Sequence, residues 1–396
     1  MTPGARVQAA IECLDDIFAG APAEKTMTRW ARRSRFAGSK DRAAVRDHVF
    51  DALRNRDSLA ALGGGLTGRA VMIALALREG QDVQALFNGI AHAPSVLSAE
   101  EDGQIAQVRE RGIDAIANDI WDMPDDWAGK LLASHPQNAQ AIAHALRDRA
   151  PVDLRVNLRK MGRDAALTRL AQEGITAQIC DISSTALRIT EGARALKNSR
   201  SYLDGLVELQ DAGSQALVEA LPLKESMQVL DYCAGGGGKS LAIAGLAEAR
   251  IFAHDSDEGR MKDIPARAAR AGVKVDCVNS SGALKVSPFD LVLCDAPCSG
   301  SGAWRRSPDA KWRLTQEAFQ TVLQTQREIL LQAKTLVGQS GYLAYATCSL
   351  FAEENEEQVN EFLKDTLKFK LIFQKSWTPL DGCDGFHVSV MQLESD

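Results

Sequence analysis

The sequence predicts an α/β protein: a doubly wound parallel sheet fills its second half, behind a small α+β region and an all-helical region. Three observations carry this expectation. Beyond Asp211 an apolar strand, a polar turn and an amphipathic helix follow one another several times, the pattern of a parallel sheet covered on both faces. A glycine run, "AGGGG" at Ala234 to Gly238, separates the first of these strands from its helix. The opening residues instead repeat apolar side chains at three- and four-residue steps, with few β-branched runs, which is helical.

Taken in order, "ARVQAAIECLDDIF" and "DRAAVRDHVFDALR" are amphipathic helices, while Gly63 to Gly65 and the acidic segment after Ser98 read as loops. "PVDLRVNLRK" places Val152, Leu154, Val156 and Leu158 on one face, a half-buried strand. The helix "DAALTRLAQEGI", the strand "ALRIT" and the basic "RALKNSR" complete a small α+β region. The sheet-forming part then runs through "QVLDYCAGGGGKSLAIAGLA", "RIFAHDSDEGRMKDIPARAARAG", "FDLVLCDAPCSG" with its long following helix, and "GYLAYATCSL" with "AEENEEQVNEFLKD". Domain boundaries are expected at 1–123, 124–204 and 205–396.

With 396 residues, 45% hydrophobic and 25% charged, the composition is that of a folded multidomain chain and excludes pervasive disorder. The stretch "AVMIALAL" falls far short of the roughly 20 residues that cross a bilayer, and the first residues lack a secretory signal. A cytoplasmic monomer without membrane contact is the expectation. Eight cysteines are too few for a disulfide scaffold, and no set of His, Cys and carboxylates has metal-site spacing. Cys13, Cys180 and Cys277 read as plain buried thiols. The net charge of −6 speaks against nucleic acid, but its distribution does not: Lys25 to Arg56 holds ten Lys and Arg against three Asp. Such a segment suits either a phosphate backbone or a solvated helix face.

Ligands of an open parallel sheet bind beyond the carboxyl ends of its strands. Asp231, Cys233, Asp255, Asp295, Cys298 and Cys348 all fall at such ends, so they are expected to share one crevice. The glycine run lets backbone approach a ligand, and Asp255, twenty-odd positions on, is placed to hold ribose hydroxyls. A glycine loop alone is often just a tight turn; the pair favours an adenosine-bearing cofactor. NAD and S-adenosylmethionine both fit that much. Two thiols and a carboxylate, however, suit attack on an electron-poor ring better than hydride transfer. Pyrimidine carbon 5 accepts a methyl group only after a thiolate adds to carbon 6, and a second thiol has a use in releasing the product. Lys239 is placed to stabilise a thiolate, and Asp295 to bond the ring's nitrogen 3 edge. Trp304, Arg305 and Arg306 read as either an RNA path or a cover for the sheet edge.

These motifs resemble the RsmB/Sun (Fmu) family of RNA 5-methylcytosine methyltransferases. "LVELQDAGSQ", "LDYCAGGGGKS", "AHDSDEGRM", "FDLVLCDAPCSGSGAWRRSPDAKWRLT", "GYLAYATCSLFAEENEEQV" and "PLDGCDGFHVS" match its motifs across the second half. The resemblance implies a Rossmann-like methyltransferase domain, Cys348 as nucleophile, Cys298 as the aid to product release, and Asp295 at the cytosine. It implies that Cys233, Ala234, Gly235, Gly236, Gly237, Gly238, Lys239, Asp255 and Asp295 line the S-adenosylmethionine site. DNA cytosine-5 methyltransferases use the Pro-Cys cysteine instead, which the second cysteine in "ATCS" argues against. Two departures stand out: Gly236 replaces the family's proline, loosening the loop, and "CVNSSG" offers no acidic residue for the adenine. Upstream, "FAGSKDRAAVRDHVFDALR" resembles a NusB-like RNA-binding region and "PVDLRVNLRK" the family's small RNA-binding domain. Ribosomal RNA is therefore the expected substrate. A tRNA substrate, a non-catalytic RNA-binding assembly factor on the same fold, and a small-molecule methyltransferase are the alternatives.

Overall fold

Capping, as much as periodicity, starts the helices of the N-terminal region. The computed structural model describes residues 1–395. Thr2 caps the helix Pro3–Phe18: its hydroxyl accepts from the Ala5 amide at 3.1 Å, and Pro3 stands where an N–H has no intrahelical acceptor anyway. The acidic segment after Ser98 is a helix, Ala99–Arg111, and not the expected loop. Ser98 Oγ accepts from Glu101 N at 3.2 Å while the Glu101 carboxylate accepts from Ser98 N at 2.8 Å, a reciprocal cap. Three acidic side chains in that first turn also face the positive end of the helix dipole, so the acid run stabilises the helix.

The apolar run near "AVMIALAL" is the helix Gly68–Arg78, which meets Arg56–Gly63 at a bend of 92°. Its Val71, Met72 and Leu75 are buried with Leu14, Val49 and Leu59 in one core. Among the described residues no single helix is long and apolar enough to cross a membrane. Met1–Arg149 forms a compact unit that also takes in a distant segment, Trp304–Arg313. The carbonyls of Leu53 and Arg54, left without intrahelical donors at the end of Ser39–Arg54, accept from Trp312 Nε1 at 2.8 Å and Lys311 Nζ at 3.0 Å. Arg56 lies over the Trp312 ring at 3.4 Å. Trp304 is only 2% exposed, which withdraws it from any stacking role on an RNA path.

The second unit starts at Ala150 and comprises the remaining residues. Its smaller sheet has the order β2-β3-β1-β4, with β1 Val152–Val156, β2 Thr176–Ile179, β3 Ala186–Glu191 and β4 Val207–Leu209, all antiparallel. Leu154, Val156, Leu187 and Val207 fill its core with Leu170 of the helix Arg163–Gln172. The larger sheet contains β5 Gln228–Asp231, β6 Arg250–Ala253, β7 Val275–Cys277, β8 Phe289–Asp295, β9 Val337–Thr347, β10 Phe369–Trp377 and β11 Phe386–Leu393. Its order is β10-β11-β9-β8-β5-β6-β7, parallel from β7 to β9, with β11 antiparallel to β9 and β10. Leu343, Ala344, Tyr345 and Ala346 on β9 are consecutive and wholly buried, because helices cover both faces there.

After β5 the chain moves outward to β6 and β7, then returns to place β8 on the other side of β5. This reversal opens a crevice at the carboxyl ends of β5 and β8. Cys277, expected to be buried, is exposed: it ends the edge strand β7, where the cover of the sheet runs out. Cys13 and Cys180 are buried as expected, and burial pushes the Cys13 thiol up to about 12.

Candidate active site

Residues at the ends of β5, β6, β8 and β9 converge on this crevice. Cys298 lies three residues past β8, and Cys348 directly follows β9. The pairing of β8 with β9, Asp295 opposite Ala346, brings the two loops side by side. Their sulfurs are 3.3 Å apart, and both cysteines are half-buried. Cys298 is held as a thiol, its pKa pushed up by its hydrogen bond to Cys348, by burial and by the nearby charges of Cys348 and Glu354.

Asp295 ends β8, and Lys239 stands in the first turn of the helix Gly238–Leu246. Lys239 Nζ donates to Asp295 Oδ2 at 2.6 Å. Burial pulls the ammonium down, but the charges of Asp295, Cys348 and Asp231 outweigh it and leave its pKa raised. The cation is therefore retained inside the crevice. Asp295 Oδ1 has no hydrogen-bond partner among the described residues, and its side chain is 31% exposed.

The glycine loop has left-handed backbone at Gly235 (φ 51°) and Gly237 (φ 78°), conformations that side chains disfavour. A Cβ on Gly237 would also press on Ile264 at 2.8 Å. The turn is pinned by Gly237 N donating to Ala234 O at 2.8 Å, and Gly236 O accepts from the Arg267 guanidinium. The loop is thus tied down despite lacking the family's proline. Asp255 is buried, and its carboxylate accepts from Gly235 N at 2.9 Å and Asp257 N at 3.0 Å. Cys233 lies just past the end of β5, its thiol raised by burial.

These residues fit a bound adenosyl group carrying an ammonium. Asp231 Oδ2 accepts from Ser240 Oγ at 2.6 Å, while Oδ1 is buried without a partner. Burial pushes its carboxyl up to about 7. The crevice therefore keeps an unused acceptor beside the glycine loop. In the "CVNSSG" segment, Asn279 caps the helix Ser280–Val286 by accepting from Gly282 N at 2.9 Å. Ser280 Oγ bonds His254 Nε2 at 3.0 Å, so these side chains are engaged within the fold.

Sequence reasoning missed Glu354. Its side chain is fully buried and accepts from Ser299 N at 2.7 Å, Gln326 Nε2 at 3.1 Å, and the hydroxyls of Ser299 and Ser349. Four neighbouring glutamates, Glu353, Glu354, Glu356 and Glu357, look alike in "AEENEE", and nothing in the letters singles out the one that turns inward. Gly302 and Gly385 meet backbone to backbone, Gly385 N donating to Gly302 O at 2.9 Å. A Cβ on Gly302 would stand 2.3 Å from Gly385 O.

Residues 218–388 match the family described as 16S rRNA methyltransferase RsmB/F, and residues 123–195 match the ferredoxin-like domain of RsmF/B-like methyltransferases. These two regions belong to the RsmB/F methyltransferase family. The RsmB/F match supports S-adenosylmethionine as the cofactor of the crevice. The ribosomal RNA small subunit methyltransferase B of Photorhabdus laumondii is 34% identical over 271 residues, covering 65% of this chain and 63% of that protein. That of Proteus mirabilis is 31% identical, over 66% and 64%. The chain thus spans somewhat under two thirds of these relatives. The crystal structure of PH0851 superposes over 100% of this chain and 99% of that one, with a TM-score of 0.74 at 22% identity. NSun6 from Pyrococcus horikoshii with SFG covers 69% and 99%, with a TM-score of 0.61 at 18% identity. At these identities the two structures speak to the fold alone, and they agree with the RsmB/F sheet described above.

Proposed function

We propose that this chain methylates carbon 5 of a cytosine in RNA, ribosomal RNA first among the candidates, through a bond from Cys348 to ring carbon 6. The observation that carries the reading is the contact of two half-buried sulfurs at 3.3 Å beside the Lys239–Asp295 pair. A structural cysteine pair has no need of a retained buried cation next to it. The names of the curated relatives favour the ribosomal substrate.

The Cys348 thiolate adds to carbon 6, and the ring's electron pair moves toward carbon 5. Asp295, held as a carboxylate by Lys239, accepts from the cytosine amino group beside nitrogen 3 and so fixes that edge of the base. S-adenosylmethionine supplies the methyl group as an electrophilic carbon on a sulfonium; the glycine loop, Asp255 and Asp231 would hold it. The carbon 5 proton then passes to water, the carbon 6–sulfur bond breaks and its electrons return to Cys348. The Cys298 thiol donates its hydrogen bond to the departing sulfur, which eases release. To reach this site the base must leave its stack.

Charge on the helical unit supports RNA as the substrate. Lys25, Arg32, Arg33, Arg35, Lys40 and Arg42 are exposed, and none has an ion-pair partner among the described residues. Among them Phe36 is 76% exposed, at a groove of about 1010 Å³ that Trp30, Arg33 and His92 also line. Unpaired cations around a bare aromatic ring suit a single strand with an unstacked base.

The test separates the two thiols. Cys298→Ala should accumulate a covalent RNA adduct on denaturing gels, and Cys348→Ala should form none. An adduct with Cys348→Ala would sink the role assignment. Binding of RNA without any adduct or methylation in the unaltered chain would favour a non-catalytic assembly factor.

A further inference from the structure

The two cysteines touch, yet the proposed chemistry needs them to differ: one must be the thiolate and the other must hold the proton. Their surroundings differ in charge. On one side stands Lys239, whose cation is stabilised partly by charge at Cys348. On the other stands Glu354, on the short helical turn Ala352–Glu354. Its Oε1 accepts from Ser299 N and Gln326 Nε2, and its Oε2 from the hydroxyls of Ser299 and Ser349. Ser299 follows Cys298 and Ser349 follows Cys348, so one carboxylate grips the residue after each cysteine. Ser299 supplies two of the four donors, which sets the anion closer to the Cys298 loop.

Backbone and amide N–H groups donate and cannot accept, so Oε1 is held as an acceptor. Burial raises the Glu354 carboxyl, and the four donors work against that rise. Tyr345 and Gln326 fix the turn further: Tyr345 OH donates to Glu354 O at 2.7 Å, and Gln326 Nε2 to Pro297 O at 2.9 Å. The charged and titratable groups around the cysteine pair are Asp231 and Cys233 from β5 and its loop, Lys239 from the following helix, Cys294 and Asp295 from β8, Tyr345 from β9, and Glu354. Lys239 is the cation among them, and Glu354 is the carboxylate bonded to both cysteine loops.

We propose that Glu354 is a positioning residue that assigns the roles within the cysteine pair. It clamps the two loops so that the sulfurs meet, and its negative charge keeps the pair's remaining proton on Cys298, leaving Cys348 as the thiolate. The proposal rests on the reading of Cys348 as nucleophile, but it can be tested without RNA. Iodoacetamide alkylates a thiolate with loss of iodide, so the label partition, read by mass spectrometry of peptides, reports which sulfur is ionised.

In the unaltered chain Cys348 should take the label at least about tenfold faster than Cys298. Glu354→Gln keeps an acceptor at Oε1 and removes the charge. With its fold verified by circular dichroism, it should shift label toward Cys298 by about tenfold in ratio. It should also lower kcat with little change in KM for RNA, and move the acid limb of the rate profile to lower pH. Glu354→Asp, which retains the charge, should keep the label on Cys348. Equal labelling in the unaltered chain, or a partition unchanged in folded Glu354→Gln, overturns the proposal. If Cys348 takes the label but no RNA adduct ever forms, the covalent reading falls while the assignment of the thiolate stands.

Discussion

The crevice and the basic face of the helical unit treat charge in opposite ways. In the crevice the fold compensates Lys239 by Asp295, Asp255 by Arg260 and two amides, and Glu354 by four donors, while Asp231, whose Oδ1 is left without a partner, has its carboxyl pushed up to about 7 by burial. On the helical unit, Arg29 pairs with Asp16 and Arg46 with Glu24, but six neighbouring cations are left facing water. Burying an unpaired charge costs several kcal/mol, at the order-of-magnitude level, so the crevice cannot leave its charges open. Surface cations carry no such penalty, and water and salt screen their mutual repulsion. The difference teaches where to look for each role: internally balanced charge positions chemistry, and unbalanced surface charge awaits a polyanion.

Three experiments break or sharpen that contrast. The largest effect is expected from Lys239→Met, which leaves Asp295 without its cation and removes positive charge from beside Cys348. Methylation by the folded variant should fall about 10²–10³-fold, the scale of losing one preorganised electrostatic contact, with partial rescue by Lys239→Arg. An undiminished single-turnover rate would show the buried pair to be structural only. Next, replacing Arg32, Arg33 and Arg35 together by Glu should weaken RNA binding and make its log–log salt dependence shallower by about 2, three phosphate contacts at roughly 0.7 each. An unaltered slope in a fluorescence-anisotropy titration would assign those cations to solvent. The smallest effect belongs to Phe36→Ala, which should cost about 1–3 kcal/mol of affinity for single-stranded RNA while leaving the salt slope unchanged. Equal loss on a fully duplexed RNA would argue against stacking.

Much of the larger sheet is legible in the letters because each strand ends where an apolar run meets a polar turn. Asp231, Asp255, Asp295 and Cys348 mark such ends, and strand alternation with helices implies parallel pairing. The helix Ala99–Arg111 was also legible, in the Ser98–Glu101 spacing, but its acidity masked the cap. Exposure at Cys277 was not, since it depends on β7 lying at the edge of the sheet.

The sequence by itself determined the local grammar: which runs form strands and helices, which glycines open the turn after β5, and which side chains are chemically able to attack. Those properties depend on neighbours a few positions away. Only the tertiary structure decided that sulfurs fifty positions apart lie at 3.3 Å, that Glu354 and none of its three lookalikes turns inward to brace them, and that Trp304–Arg313 packs with helices some 250 positions earlier. Each follows from strand order and from the cost of leaving a buried polar group unmatched, which no local pattern encodes.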